Sequence, residues 1–255
     1  MIFSRSLFFW LLVSLMTVPV GILLAFCTLF PLSTRFFIVK LWWTAFMCLA
    51  RYVIGVKMQV KGRENIPEKP VLVLSKHESA WETVGLQSIF VPAVFVLKKE
   101  LLKIPFFGWG LAALRMIAID RDAGRKALQR MLEQGRNRLE SGIWVIVFPE
   151  GTRALPGERL RYKSGAAYLA LKTGSPVLPV AHNAGDVWRK KAFCIHPGVI
   201  TVSIGPAIAT QGLKDAQLNA VVENWIEAEM RRIAPQRYVD APPMQGDSFP
   251  PSPIP

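Results

Sequence analysis

No Asp or Glu occurs in the first 60 residues, and the first acid is Glu64. Residues 6–34 carry no charge, and the apolar run from Leu7 to Leu32 is interrupted by Pro19 and Pro31. A helix of about 25 residues spans roughly 37 Å, enough to cross a bilayer. A secretory signal peptide would have a shorter apolar core and a small-residue cleavage site, and none is seen. A second apolar segment follows from Phe36 to Val56, carrying Lys40, Arg51 and the interface-suited pair Trp42 and Trp43. Two arrangements remain open: a helical hairpin, or one span followed by an interfacial helix. Basic residues flank both segments, so charge bias leaves orientation unsettled. The expected arrangement is a hairpin over residues 1–58 with the rest of the chain on the cytoplasmic side.

Composition narrows the classes. A 51% hydrophobic content is high for a soluble protein and low for a polytopic one, and the excess sits in the leader. The net charge of +13 fits either nucleic acid or an anionic membrane. No RNP, zinc-finger or basic-zipper pattern is present, so an acidic lipid surface is the expected partner, not nucleic acid. Cys27, Cys48 and Cys194 have no paired spacing, and His77, His182 and His196 are scattered, so neither a disulfide framework nor a metal site follows.

From about Val60 the pattern alternates between strand and helix. Strands are expected at 71–75, 91–97, 116–120, 144–148, 177–181 and 200–205. Helices are expected at 124–140, 164–172 and 217–233, the last ending in Arg231 and Arg232 as a helix C-terminus prefers. The expected fold is α/β, a mixed sheet covered by helices, with an N-terminal two-helix membrane anchor. An acid- and base-bearing domain is expected over 59–234. From Pro235 to Pro255 the chain is Pro-rich and reads as a disordered tail.

Four stretches could carry chemistry. In Ser75-Lys-His-Glu-Ser-Ala-Trp-Glu82, His77 follows a strand and Glu82 falls in the first turn of a helix. A carboxylate on one imidazole nitrogen would leave the other free as a base. Ser79-x-x-Glu82 is equally a capping box, and the two roles can coexist because a carboxylate has two oxygens. Lys98 and Lys99 follow a second strand, and Arg121 follows a third. Phe148-Pro-Glu-Gly-Thr-Arg153 follows the apolar strand from Trp144, with Gly151 allowing close backbone approach and Arg153 offering a planar fork for phosphate oxygens.

Taken in order with Val177-Leu-Pro-Val180, these stretches resemble the lysophosphatidic acid acyltransferase family (1-acylglycerol-3-phosphate O-acyltransferases and related enzymes) over roughly residues 61–206. The resemblance implies a reaction that moves an acyl chain from a thioester donor, acyl-CoA or acyl-carrier protein, to the sn-2 hydroxyl of lysophosphatidic acid. It implies His77 as general base and Glu82 as its acidic partner. It places Lys98, Glu150, Gly151, Thr152 and Arg153 at the substrate, with Arg121 a further cation and Pro179 in the last block. No cofactor or metal is implied. The enzyme is expected at a membrane, a bacterial inner membrane from its size and simplicity. The chain departs from the family pattern at Glu82, where Asp is usual, and at Lys76, where Asn is common. Those departures leave open another lysophospholipid or a lyso-aminolipid as acceptor. A non-catalytic membrane lipid-binding protein is the reading from a different class; it accounts for leader and charge but not for four ordered motifs.

Overall fold

A computed structural model describes residues 1–239, the side chain of Arg121 excepted. Seven strands form one sheet: β1 (Val56–Lys61), β2 (Leu72–Ser75), β3 (Ala93–Lys98), β4 (Ile117–Ile119), β5 (Trp144–Val147), β6 (Val177–His182) and β7 (Gly198–Ile204), in the order β1-β7-β6-β2-β5-β3-β4. All neighbours run parallel except β6 and β7. β2, β5 and β6 are buried at every residue, as unbroken apolar runs require when both faces of a sheet are covered.

The helices are α1 (Ile2–Phe26), α2 (Leu32–Leu49), α3 (Glu82–Gly85), α4 (Phe107–Ala113), α5 (Arg125–Glu140), α6 (Ser164–Thr173), α7 (Ala184–Val187) and α8 (Asp215–Ile233). Helices α5, α6 and α8 pack side by side, α5 against β4 and β5 and α8 against β6 and β7. This is the mixed sheet under helices that the alternation predicts.

Both leader segments are helical and form the expected antiparallel pair, with Pro31 opening α2. The pair does not stand away from the domain. Helix α1 packs on α4, so closely that a Cβ on Gly21 would lie 2.4 Å from the Phe106 carbonyl oxygen. Polar ties reinforce the dock: Trp10 Nε1 donates to Phe193 O at 3.0 Å, and the Ile195 amide donates to Ser6 Oγ at 3.0 Å. Arg35 on α2 donates to Ala113 O at 2.6 Å. One stripe, including Phe9, Val13, Leu24, Phe36, Val39, Trp43 and Phe46, is thereby buried. Phe3, Leu7, Leu11, Leu15, Phe26, Leu29, Phe37 and Leu41 remain exposed, and both helices are long and apolar enough to cross a membrane.

Two boundaries differ from expectation. Strand β1 begins at Val56, inside the segment assigned to the anchor. The disordered tail expected from Pro235 does not start there, because Pro235–Arg237 forms a 3-10 turn whose arginine is paired against the domain. Residues 240–255 lie outside the described part.

Candidate active site

The site is built on the turn that leaves β2. The Lys76 amide still donates to Val180 O at 3.0 Å, so the chain stays in register one residue past the strand before turning at His77. Glu82 opens α3 and lies entirely buried beneath the turn. Its Oε1 sits 2.7 Å from His77 Nδ1 and accepts from the amides of Glu78 at 2.9 Å and Ser79 at 2.8 Å. Its Oε2 accepts from the Ser79 amide at 3.0 Å. The carboxylate therefore closes the turn and partners the imidazole at once, uniting the two sequence readings. Burial works to raise the Glu82 pKa, but His182, His77 and the Ser79 amide outweigh it and hold the group below its ordinary range. An ionised carboxylate accepts only, so Nδ1 carries a proton, and in the neutral imidazole the lone pair falls on Nε2.

The imidazole is clamped as well as bonded. The Phe148 ring stacks on it at 4.0 Å between centroids and 11° between planes, and Phe95 stacks on Phe148 at 5.8 Å. Thus the last residue before Pro149 fixes the plane of the ring, while Glu82 fixes its rotation.

A buried polar layer supports the turn from behind. The His77 amide donates to Glu150 Oε2 at 2.7 Å, and the Ala154 amide donates to His77 O at 2.7 Å. Lys76 is wholly buried, its ammonium 2.7 Å from Glu150 Oε1 and 2.8 Å from Glu227 Oε1 on α8. Burial works to lower the Lys76 pKa, yet the two carboxylates outweigh it and raise it. Burial pushes Glu150 up to about 8, against the pull of Lys76. One cation between two carboxyl groups keeps a proton in the cluster near neutral pH. His182, also wholly buried, has Nε2 2.7 Å from Lys76 O and accepts at Nδ1 from the Ala184 amide at 3.3 Å, which fixes Nε2 as the donor. Burial holds this imidazole below its usual pKa, against the raising pull of Glu82.

In front of the turn opens a cavity of about 840 Å³, the size of a small-molecule site. Its polar wall carries His77, Lys98, Thr152, Arg153 and Lys163. Its apolar wall runs under α1 and α2 (Val13, Val20, Leu24, Val39) and on between α4 and the sheet to Leu111, Met116, Leu128 and Met131. Gly151 has φ +71°, where a side chain is strained, and a Cβ there would press within 2.9 Å of Lys163.

The structure places His77, Lys98, Gly151, Thr152 and Arg153 in the lining of one cavity. Lys99, by contrast, turns to Asp120 in an exposed ion pair. Glu150, expected among the substrate contacts, is turned inward: its carboxylate is taken by the His77 amide and Lys76. Arg121 lies in the one-turn 3-10 segment after β4, and its side chain is outside the described part. Pro179 is buried in β6 opposite Leu74, a packing position.

A family model described as Acyltransferase matches residues 57–183. The 1-acyl-sn-glycerol-3-phosphate acyltransferase of Pseudomonas aeruginosa is 43% identical over 244 residues, covering 93% of this chain and 95% of the relative. The chain belongs to the lysophosphatidic acid acyltransferase family. The mouse 1-acyl-sn-glycerol-3-phosphate acyltransferase alpha is 30% identical over 179 residues, 69% of this chain and 63% of that protein. Among solved structures, the 1-acyl-sn-glycerophosphate acyltransferase PlsC from Thermotoga maritima superposes with a TM-score of 0.77 at 26% identity, covering 90% of this chain and 95% of that one.

This acyltransferase carries site residues that motif reading missed. Lys163, Lys190 and Lys191 line the cavity, and His182 and Glu227 brace the turn. The run Arg189-Lys190-Lys191 was visible as a charge cluster; nothing local marks Glu227 or His182.

Proposed function

We propose that the enzyme transfers an acyl chain from a thioester donor, acyl-CoA or acyl-carrier protein, to the sn-2 hydroxyl of 1-acylglycerol-3-phosphate. The observation that carries this is His77, whose Nε2 has no hydrogen-bond partner among the described residues, in the lining of a mostly apolar cavity that also carries Lys98, Arg153 and Lys163. Nε2 takes the hydroxyl proton as the oxygen attacks the thioester carbonyl. Glu82, already ionised, stabilises the imidazolium that forms. The C–S bond then breaks, and the imidazolium returns its proton to the departing thiolate. No acyl-enzyme is needed. Arg153 and Lys98 hold the acceptor phosphate, Arg153 by its fork and Lys98 as a point charge.

Lys76 lies behind the turn rather than in the cavity, so the departure from Asn at that position does not favour a different acceptor. The exposed apolar stripe of α1 and α2 sits in the membrane and brings the cavity to its lipid acceptor and product; the catalytic domain lies on the cytoplasmic side of a bacterial inner membrane. The test is transfer from labelled oleoyl-CoA to matched lysophosphatidic acid and lysophosphatidylcholine, beside His77→Ala. Turnover on lysophosphatidic acid that disappears in a folded variant is the expected result. Full turnover by His77→Ala would overturn the mechanism, and preference for lysophosphatidylcholine would overturn the acceptor.

A further inference from the structure

The family-model match ends at residue 183, but the chain beyond it returns to the turn that carries His77. Helix α8 closes at Ile233, and the 3-10 turn Pro235–Arg237 brings one guanidinium back against α7. Each of its nitrogens is engaged. Nη1 donates to Glu78 Oε1 at 2.9 Å, Nε to Asp186 Oδ1 at 2.8 Å and Nη2 to the Asn183 carbonyl at 3.3 Å. Gln236 Nε2 adds a bond of 3.4 Å to Asp186 Oδ2, and the Arg231 guanidinium stands 4.9 Å from the centre of the Tyr238 ring. A planar fork that is 5% exposed and held at every nitrogen fixes its partner in a way that a flexible lysine does not.

Glu78 follows His77 in the sequence, is wholly buried and does not line the cavity, so acyl transfer leaves its carboxylate without a task. Its two oxygens are taken by Arg237 and, at 3.2 Å, by the Gly185 amide. With both oxygens held, the backbone of the residue is held as well. Its amide donates at 2.9 Å to Glu82 Oε1, the same oxygen that lies 2.7 Å from His77 Nδ1. The carbonyls of Lys76 and His77 are tied separately, to His182 Nε2 and to the Ala154 amide, each at 2.7 Å. Glu78 is therefore the residue of the turn whose place depends on the arm after α8. Without the tether its buried carboxyl must stay neutral or swing toward water, and a swing turns the amide away from Glu82. Glu82 then loses one of the donors that set its position against the imidazole.

We infer that Arg237 is a positioning residue for acyl transfer, acting through Glu78 to seat Glu82 against His77. The inference rests on the acyl-transfer reading and adds to it a residue that lies outside every motif and outside the matched domain. Arg237 touches neither substrate nor His77. Its whole effect passes along the path from guanidinium to Glu78 carboxylate, Glu78 amide and Glu82 Oε1.

The test compares wild type with Arg237→Gln, with Glu78→Gln/Arg237→Gln and, as a control, with Arg232→Gln, which removes an exposed ion pair on α8. All are assayed at pH 7 in detergent with lysophosphatidic acid and oleoyl-CoA, and thermal unfolding of the same samples shows that each is folded. In Arg237→Gln kcat should fall by about tenfold to a hundredfold, the scale of a base displaced by about 1 Å, while KM for both substrates stays within about twofold. The double variant leaves neither charge at the site, which relieves any strain on folding. Its kcat should stay low all the same, because two glutamines are too short to rebuild the tether. The control should keep the wild-type kcat. A second readout needs no turnover: the Nδ1 proton of His77 in protein with isotope-labelled histidine, assigned by its loss in His77→Ala. This proton should give a downfield, slowly exchanging NMR signal in wild type and control, and be shifted or lost to exchange in both Arg237 variants. A kcat within about twofold of wild type in Arg237→Gln, a kcat restored in the double variant, a KM rise that accounts for the whole loss, or an Nδ1 signal indifferent to Arg237 would overturn the proposal. A wild type that transfers no acyl chain from oleoyl-CoA or acyl-carrier protein would overturn the acyl-transfer reading instead.

Discussion

Arg237, almost at the end of the described chain, locks the residue next to His77. Its Nη1 lies 2.9 Å from Glu78 Oε1 and its Nε 2.8 Å from Asp186 Oδ1, with Glu78 wholly buried. Glu78 Oε2 also accepts from the Gly185 amide at 3.2 Å. Burial pushes the Glu78 pKa from 4.5 up to about 7, against the lowering pull of Arg237. Arg237→Gln removes the pull, so Glu78 must stay protonated in the folded protein. In the wild type Glu78 already titrates at about 7, so the extra cost of keeping it neutral in the variant is only about 0.4 kcal/mol at pH 7, and it grows to about 1.4 kcal/mol at pH 8 and about 2.7 kcal/mol at pH 9. For a chain of this size the last figure corresponds to a thermal midpoint lowered by about 5–11 °C at pH 9. The assay is thermal unfolding in detergent at pH 7, 8 and 9, with Glu78→Gln/Arg237→Gln alongside. The double variant, which leaves neither charge at this site, should recover most of the loss. A single variant within 2 °C (on the order of 1 kcal/mol) of wild type at pH 9, or a loss independent of pH, would refute the buried-pair account.

Arg153→Ala should raise the acceptor KM by about tenfold to a hundredfold, the range for losing charged hydrogen bonds, and an unchanged KM would remove Arg153 from the phosphate. Stability should also fall as the solution turns alkaline. Glu150 and Glu78 have folded pKa values raised to about 8 and about 7, so their contribution is complete below the unfolded value and is lost as pH rises through the folded one. Between pH 7 and 9 the loss integrates to about 2 kcal/mol, most of it from Glu150. Thermal midpoints across that range check it, and Glu150→Gln should flatten the slope. Finally, Gly21→Val places side-chain atoms against the Phe106 backbone and should lower the midpoint by the equivalent of about 1–3 kcal/mol. A wild-type midpoint there would show that α1 does not dock on α4.

The sheet was legible wherever an apolar strand stood between polar turns, as at Val71 to Ser75 and Trp144 to Phe148. Strand β1 was hidden for a physical reason. Val56, Met58 and Val60 alternate with Lys57, Gln59 and Lys61, a clear period of two, but the strand starts only one residue after Gly55 and within a run already apolar. The contact between His77 and Glu82 was legible because the two are five residues apart and one turn makes them meet. What sequence could not supply was direction. Glu150 and Arg153 are three residues apart in one motif, yet one faces the interior and the other the cavity. Nor could it supply partners such as Glu227 for Lys76, 151 residues away, or Arg237 for Glu78, 159 residues away.

Those distant partners explain how the chain accommodates its departure at Lys76. A buried ammonium without a counter-charge is not tolerated. Glu150, pushed up to about 8 and accepting from the His77 amide, is not a sufficient counter-charge by itself. Glu227 from α8 shares the ammonium, and the Glu158 carbonyl accepts from it at 3.1 Å. The lysine thereby ties the His77 turn to the last long helix as well as to the loop that carries Arg153. His77 and Arg153, the proposed base and phosphate-binding residue, are thus fixed relative to each other through the protein interior, Lys76 to Glu150 to the chain leading to Arg153, rather than across the cavity. The space between them stays free for a substrate. A residue that looked like a change in acceptor chemistry is, on this geometry, a change in the scaffold that spaces His77 from Arg153.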